Sequence, residues 1–347
     1  MKNVRLNLLL FAAVFAFWAC DNEGPQIPLG EFEKGVLIIN EGAFGANDGE
    51  IYHYTGGDEV SVDIFERVNN RPFAGLIQDL VEHEGRTYLI ANTGKVEVVD
   101  TRDFTSLGAV SDGLDITRSL VVDQDKLFIS DWGPYDANFN SPDSYIAVVD
   151  NLSGGIISKK IAVSSRPEKM SLVGSRLLVA NAQNLDIVNL DTDTLANTVE
   201  IEGNPADFFR NEGNLYLYAR DAENIYFHRI NTSNFSIQNT VTIALAGATS
   251  NMSLGRNGEI YVLTSTGFPD YDDAVAKVSL SQNQVIDASI FRGSGFYGIG
   301  FNPNDNRIYV ADNNGFQGNG TVIVLDESGD EVKTIPAGRG PSGFVFK

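Results

Sequence analysis

Three sets of side chains in this chain could do chemistry, and all three point to binding. Asn40, Asn92, Asp131, Asn181, Arg220, Ser265 and Asp312 lie 52, 39, 50, 39, 45 and 47 positions apart, each closing a short apolar run. Arg71, Arg118, Arg166, Arg292 and Arg339 are five of the 14 arginines that follow residue 20. Aromatic residues mark the longer segments after the apolar runs: Phe44, then Trp132, Tyr135 and Phe139, then Phe268 and Tyr271, then Phe316. Arginine presents a planar fork of donors suited to amide, carboxylate or phosphate oxygens. An aromatic ring in an exposed loop gains from packing against something. Asn and Asp also simply end strands, and an arginine also simply pairs with an acid. Convergence of all three sets on one side is what would make them a ligand site.

Residues for bond-breaking chemistry are sparse. His53, His83 and His228 are the only histidines. Two sit within strand-like runs and His83 falls at a turn expected on the opposite face. They form no His-Glu-x-x-His spacing for a metal, and no Gly-x-Ser-x-Gly elbow is present. Asp270, Asp272 and Asp273 could ligate calcium, but the EF-hand ladder and its glycine are missing. They read as a solvated acidic loop. The sequence therefore predicts a protein without metal or cofactor and without catalytic residues.

The elements that carry these residues repeat. Val36–Asn40, Tyr88–Asn92, Leu127–Asp131, Leu177–Asn181, Tyr216–Arg220, Tyr261–Ser265 and Ile308–Asp312 are near-copies of one strand motif. A second strand follows each, as in Lys95–Asp100 and Tyr145–Asp150, then a more polar third, as in Thr198–Ile201. A short apolar strand precedes each, as in Met170–Val173. Units of roughly 40–50 residues built from four short strands are β-propeller blades. The expected fold is all-β: a seven-bladed β-propeller with four antiparallel strands per blade and no helix. The segment 338–347 repeats the start of a blade and then stops, so Phe344–Lys347 should be the innermost strand of the blade that begins at Val36. In such a blade the loops after the motif strands and the links between blades share one face. The strand ends, the arginines and the aromatic loops therefore fall on that face.

The N-terminus reads as a leader. Lys2 and Arg5 precede the apolar stretch Leu6–Ala19, which is too short for a bilayer span and suits a secretory signal. It ends at Cys20, the only cysteine, in a setting that resembles a bacterial lipobox. Residues 1–19 are thus expected to be a signal peptide, 20–34 a lipidated cysteine and flexible tether, and 35–347 the propeller. Acyl chains on Cys20 would hold the protein at a membrane. Asp21-Asn22-Glu23 resembles the surface-export signal of Bacteroidetes lipoproteins, which implies an outer-membrane, cell-surface location. The chain carries 46 acidic and 25 basic residues, a net charge of −21. Such a surface repels phosphate backbones and argues against a nucleic-acid partner.

The segments Gly35–Gly45, Ile51–Tyr54, Asn70–Asp79 and Tyr88–Asp100 resemble the opening of the YncE-like surface lipoproteins of Bacteroidetes, with their Asn-Glu-Gly-x-Phe-Gly loop and Asn-x-Arg-Pro link. One branch of that family, the BtuG type, captures cobalamin and other corrinoids and passes them to a TonB-dependent outer-membrane transporter. The resemblance implies a ligand on the loop-rich face, and Asn40, Glu41, Phe44, Arg71 and Pro72 match its motif positions. The expected function is ligand capture, with a corrinoid as the candidate ligand and a transporter as the candidate partner. The alternatives are a propeller enzyme of the lactonase type and a protein-interaction scaffold.

Overall fold

Seven four-stranded antiparallel sheets account for all 28 strands of the computed structural model, which describes residues 28–57 and 59–347. The sheets are the blades of a propeller. Their innermost strands are Pro341–Phe346, Ile77–His83, Thr117–Asp123, Pro167–Val173, Asn204–Asn211, Ala248–Leu254 and Phe296–Asn302, for blades one to seven. The seven motif strands are the second strands, and every one lies where the repeat predicts it. The leader, Cys20 and residues up to 27 lie outside the described residues.

The motif strands are apolar without alternation because both of their faces are covered. In Val36–Asn40, Leu37 and Ile39 pack against blade two, while Val36 and Ile38 pack against blade seven. A strand's side chains point alternately to opposite faces, so one run feeds two interfaces. Among the described residues the core accordingly divides into seven apolar clusters, one between each pair of neighbouring blades. The outermost strands are polar and exposed, as in Thr194–Glu200.

The ring closes as the sequence predicts. Val36 pairs with Phe346, Leu37 with Val345, Ile38 with Phe344 and Ile39 with Gly343. The closing strand is longer than expected and begins at Pro341. Asn40, fully buried, accepts a hydrogen bond from Gly338 N at 2.8 Å and so ties the first motif strand to the last link.

Two expectations change. A helix, Ile64–Asn69, follows the two-residue outer strand Val60–Ser61 of blade one. Asp63 caps it, accepting from Glu66 N at 3.1 Å, and its Ile64 and Phe65 are buried. Six residues are under two turns, too few for a 3.6-residue period to stand out in sequence. The packed unit also starts before residue 35. Phe32 is completely buried, with its ring 5.1 Å from His53 and 5.2 Å from Phe104. Arg102 holds the same segment by donating to Pro28 O at 2.7 Å. Residues 28–34 are thus part of the propeller's packed surface.

Deleting residues 338–347 removes the closing strand, uncovers the apolar edge of Val36–Asn40 and breaks the Asn40 tie. The melting temperature should fall by about 10 °C or more, since a large domain loses roughly 2–4 °C per kcal/mol. An unchanged thermal transition in the shortened chain would mean that closure contributes little.

Candidate functional site

Every innermost strand slips register near its start. The slip falls between Ile77 and Asp79, Thr117 and Ser119, Pro167 and Met170, Pro205 and Asp207, Ala248 and Met252, and Phe296 and Gly298. In blade one, Ser342 is left between the partners of Ile39 and Asn40. A bulge bends a strand and re-aims the unpaired side chain. Here the bulged residues Gln78, Arg118, Glu168, Lys169, Ser250 and Tyr297 all line one cavity on the propeller axis, of about 390 Å³.

At its mouth these side chains form a hydrogen-bonded arc. Tyr297 OH donates to Glu41 Oε2 at 2.5 Å, and Gln78 Nε2 donates to Glu41 Oε1. Arg118 Nη1 donates to Gln78 Oε1, and Arg118 Nε donates to Glu168 Oε2 at 3.0 Å. Burial, and then the Glu41 carboxylate, hold the Tyr297 hydroxyl well above its ordinary pKa, so it acts as a donor. Asn251 Nδ2 donates to Tyr297 O at 3.0 Å.

One residue further along the axis, Lys169 Nζ sits 2.8 Å from Asp79 Oδ1, with Asp207 also facing it. Burial pulls the Lys169 pKa down, but the charges of Asp79 and Asp207 outweigh it and leave it raised. Asp207 is raised by burial, with the Lys169 charge opposing. Lys169 keeps 37% of its side-chain surface exposed although protein surrounds it. That surface is channel wall.

An aromatic shelf adjoins the arc. Trp132 leaves the blade-three motif strand with two guanidinium groups over its ring, Arg118 at 4.6 Å and Arg166 at 5.1 Å from the ring centroid. Arg166 also lies 5.7 Å from the Tyr135 ring and donates to Phe139 O at 2.5 Å. Tyr135 meets Trp132 and Phe139 edge-on. The shelf is fixed from below. Asp131, fully buried, accepts from Asp115 N, Ile116 N and Gly133 N at 2.7–2.9 Å. Burial raises its pKa, opposed by those three amides. A second cavity of about 500 Å³ opens beside the shelf, lined in part by Arg118, Trp132, Arg166, Glu168, Asn204 and Arg220. It shares Arg118, Glu168, Ala206 and Ser250 with the axial cavity, so the two adjoin.

The residues singled out from sequence divide into five groups. Glu41, Arg118, Trp132, Tyr135 and Arg166 come together at the mouth, and Phe316 joins them by packing edge-on against Tyr297 at 4.9 Å. Asn40, Asp131 and Asn181 are fully buried; Asn40 and Asp131 bond backbone amides, and Asn181 Nδ2 donates to Ser164 Oγ at 3.1 Å. Asn92 gives its backbone N–H to Leu76 O at 3.0 Å, and Asp312 accepts from Asn314 N at 2.8 Å. The remaining arginines turn to acids elsewhere: Arg71 makes two 2.8 Å bonds to Glu97, Arg339 meets Asp48 at 2.9 Å and Arg292 meets Asp272 at 3.7 Å. Phe44, at 96% exposure, Phe268 and Tyr271 stand on loops and line neither cavity.

Gln78, Asp79, Glu168, Lys169, Asp207, Asn251 and Tyr297 were not among the residues picked from sequence. A usable signal existed. Polar pairs interrupt the apolar innermost strands directly after the first strand residue, as in Ile77-Gln-Asp-Leu and Pro167-Glu-Lys-Met. His53 and His228 are buried and bonded to Lys34 O and Glu202 O, at 2.7 and 2.9 Å. Among the described residues no group of three or more His, Cys, Asp or Glu could hold a metal ion.

No curated protein matches the sequence. Solved structures match the fold. A quinonprotein alcohol dehydrogenase-like protein of Bacteroides thetaiotaomicron superposes with a TM-score of 0.66 at 14% identity, over 91% of this chain and 78% of that one. BamB of Moraxella catarrhalis superposes with a TM-score of 0.53 at 13% identity, over 91% and 87%. At such identities the likeness concerns the fold alone. Residues 34–347 match the model of a domain of unknown function, DUF5074, and the chain belongs to that family.

Proposed function

We propose that the protein captures a small ligand without transforming it, at the mouth of the axial channel. One observation carries this reading. The hydrogen-bonded arc and the aromatic shelf line two adjoining cavities on the face that bears the long loops. Such a mixture of flat apolar area and fixed polar groups suits a ligand that must be held and oriented. The carboxylates at the mouth favour holding over catalysis, because each is already bonded. Glu41 accepts from Tyr297 and Gln78, and Glu168 accepts from Arg118. A general acid or base needs an open path to the proton it moves.

The resemblance to YncE-like lipoproteins, read from residues 35–100, names a corrinoid as the ligand. The site's chemistry is compatible. A corrinoid is a broad ring fringed with amides, and the mouth offers Gln78, Arg118 and Asn204 as amide partners beside Trp132 and Tyr135 as flat walls. Delivery to a TonB-dependent transporter, from an anchor at Cys20 in the outer membrane, completes the proposal.

Titrating the protein with cyanocobalamin and with dicyanocobinamide, followed by calorimetry and by visible absorbance, tests the ligand. Saturable binding is expected, and W132A should weaken it about tenfold, the usual size for a central aromatic anchor. An absence of heat and spectral change at about 100 μM of either compound, a concentration that reveals even weak micromolar binding, would remove the corrinoid from the proposal. The anchor has its own test: C20S should move the protein from the membrane fraction to the soluble fraction. An unchanged membrane fraction would mean that Cys20 is not the anchor.

A further inference from the structure

Among the described residues eight of the 14 arginines pair with carboxylates, and of the six that do not, two line one cavity. Arg67, Arg71, Arg102, Arg118, Arg176, Arg256, Arg292 and Arg339 each lie within 4.0 Å of a carboxylate. Arg166 and Arg220 do not, and both line the cavity beside Trp132. The Arg166 guanidinium donates only to a backbone carbonyl, that of Phe139. Among the described residues the Arg220 guanidinium has no hydrogen bond or ion pair, and its Nε is buried without a partner. Among the described residues the one carboxylate on the cavity wall is Glu168, which Arg118 engages.

Acids near the two arginines are committed elsewhere. Asp136, near enough to Arg166 to feel its charge, accepts from Asn138 N and Asn140 N at 2.8 Å within its own loop. Asp221, next in sequence to Arg220, accepts from Glu223 N, Asn224 N and Tyr226 OH at 2.6–2.8 Å. Among the described residues, therefore, two cations face one cavity with no carboxylate within 4.0 Å of either, in a chain whose net charge is −21. Guanidinium groups on a cavity wall favour an anion that bonds both. The neighbouring Trp132 ring supplies a flat surface for whatever carries that anion.

We propose that the cavity between Arg166 and Arg220 is an anion subsite, taking the phosphate or carboxylate of a small ligand whose flat body lies along Trp132. The inference rests on this mouth being a ligand site, as proposed above, but not on the ligand being a corrinoid.

Trp132 reports on the subsite directly. Trp18 is the chain's only other tryptophan, so the full chain carrying W18F emits from Trp132 alone. Phenyl phosphate, benzoate and the neutral benzyl alcohol would be titrated against that emission. Saturable quenching is expected from phenyl phosphate or benzoate, and the stronger of the two identifies the preferred anion. Benzyl alcohol should bind about tenfold more weakly, the worth of one charge-assisted hydrogen bond. R220Q, which leaves the Arg118–Trp132–Arg166 stack intact, should weaken the anion about tenfold and leave benzyl alcohol unchanged. R166Q serves as an independent second variant. Absence of saturable quenching by either anion up to about 10 mM, a very weak limit, overturns the proposal. So does equal binding of anion and alcohol, or anion affinity indifferent to both substitutions. The corrinoid titration is read separately. Anion binding that depends on the arginines stands without a corrinoid signal, and corrinoid binding indifferent to them leaves capture standing and removes this subsite.

Discussion

A four-stranded blade cannot be stable with its apolar faces bare, and only closure of the ring covers all of them. Each motif strand divides its side chains between two neighbours, so the blade-one strand Val36–Asn40 depends on blade seven as much as on blade two. Closure is made by non-local backbone pairing, with Val36 held to Phe346 and Ile38 to Phe344 across almost the whole chain. Local segments cannot supply that pairing, and the loop entropy it closes is large. The rest of the structure, including the geometry of the mouth, follows from seven wedges meeting around one axis.

Convergence on an axis creates a second constraint. Seven innermost strands point side chains at a common line, and polar ones there must find partners or water. The bulges resolve this. By unpairing one to three residues at the start of each innermost strand, they turn Gln78, Arg118, Glu168 and Tyr297 toward one another. The arc through Glu41 then satisfies donors and acceptors in sequence. A ligand at this mouth would meet a preorganised surface, because the groups that orient it are already held by their neighbours.

The architecture was legible because its signals are redundant. An apolar run ending in a polar residue occurs seven times, and the orphan segment at the C-terminus has a single possible partner. The site was legible only where a loop carried a bulky marker, as with Trp132 and Tyr135, or where a linking arginine turned inward, as with Arg118 and Arg166. Asn40 and Asp131 were misleading for a physical reason. A strand end leaves backbone groups without partners, and a short polar side chain that bonds them is the same residue type that would serve at a ligand rim. Asp131, with three amide donors on its carboxylate, is the clearest case. The axial residues were hidden because a bulge interrupts the period-two alternation, so Gln78-Asp79 and Glu168-Lys169 cannot be assigned a face from spacing alone.

Charge gives the mouth its direction. Most of this surface is negative, and an anion approaching it is repelled over about a Debye length, near 8–10 Å at ordinary salt. Inside that distance local groups dominate. Arg118 cancels against Glu168, whereas Arg166 and Arg220 face the cavity without carboxylates. The same field that discourages indiscriminate anions would therefore admit one with enough flat surface to gain from Trp132 and Tyr135, because stacking and charge act at the same spot. Selectivity would then come from the combination: an anion alone lacks the stacking term, and a neutral ring lacks the charge. Lys169, lying deeper and already flanked by Asp79 and Asp207, adds little to this attraction, so the shelf rather than the channel floor is where charge recognition is concentrated.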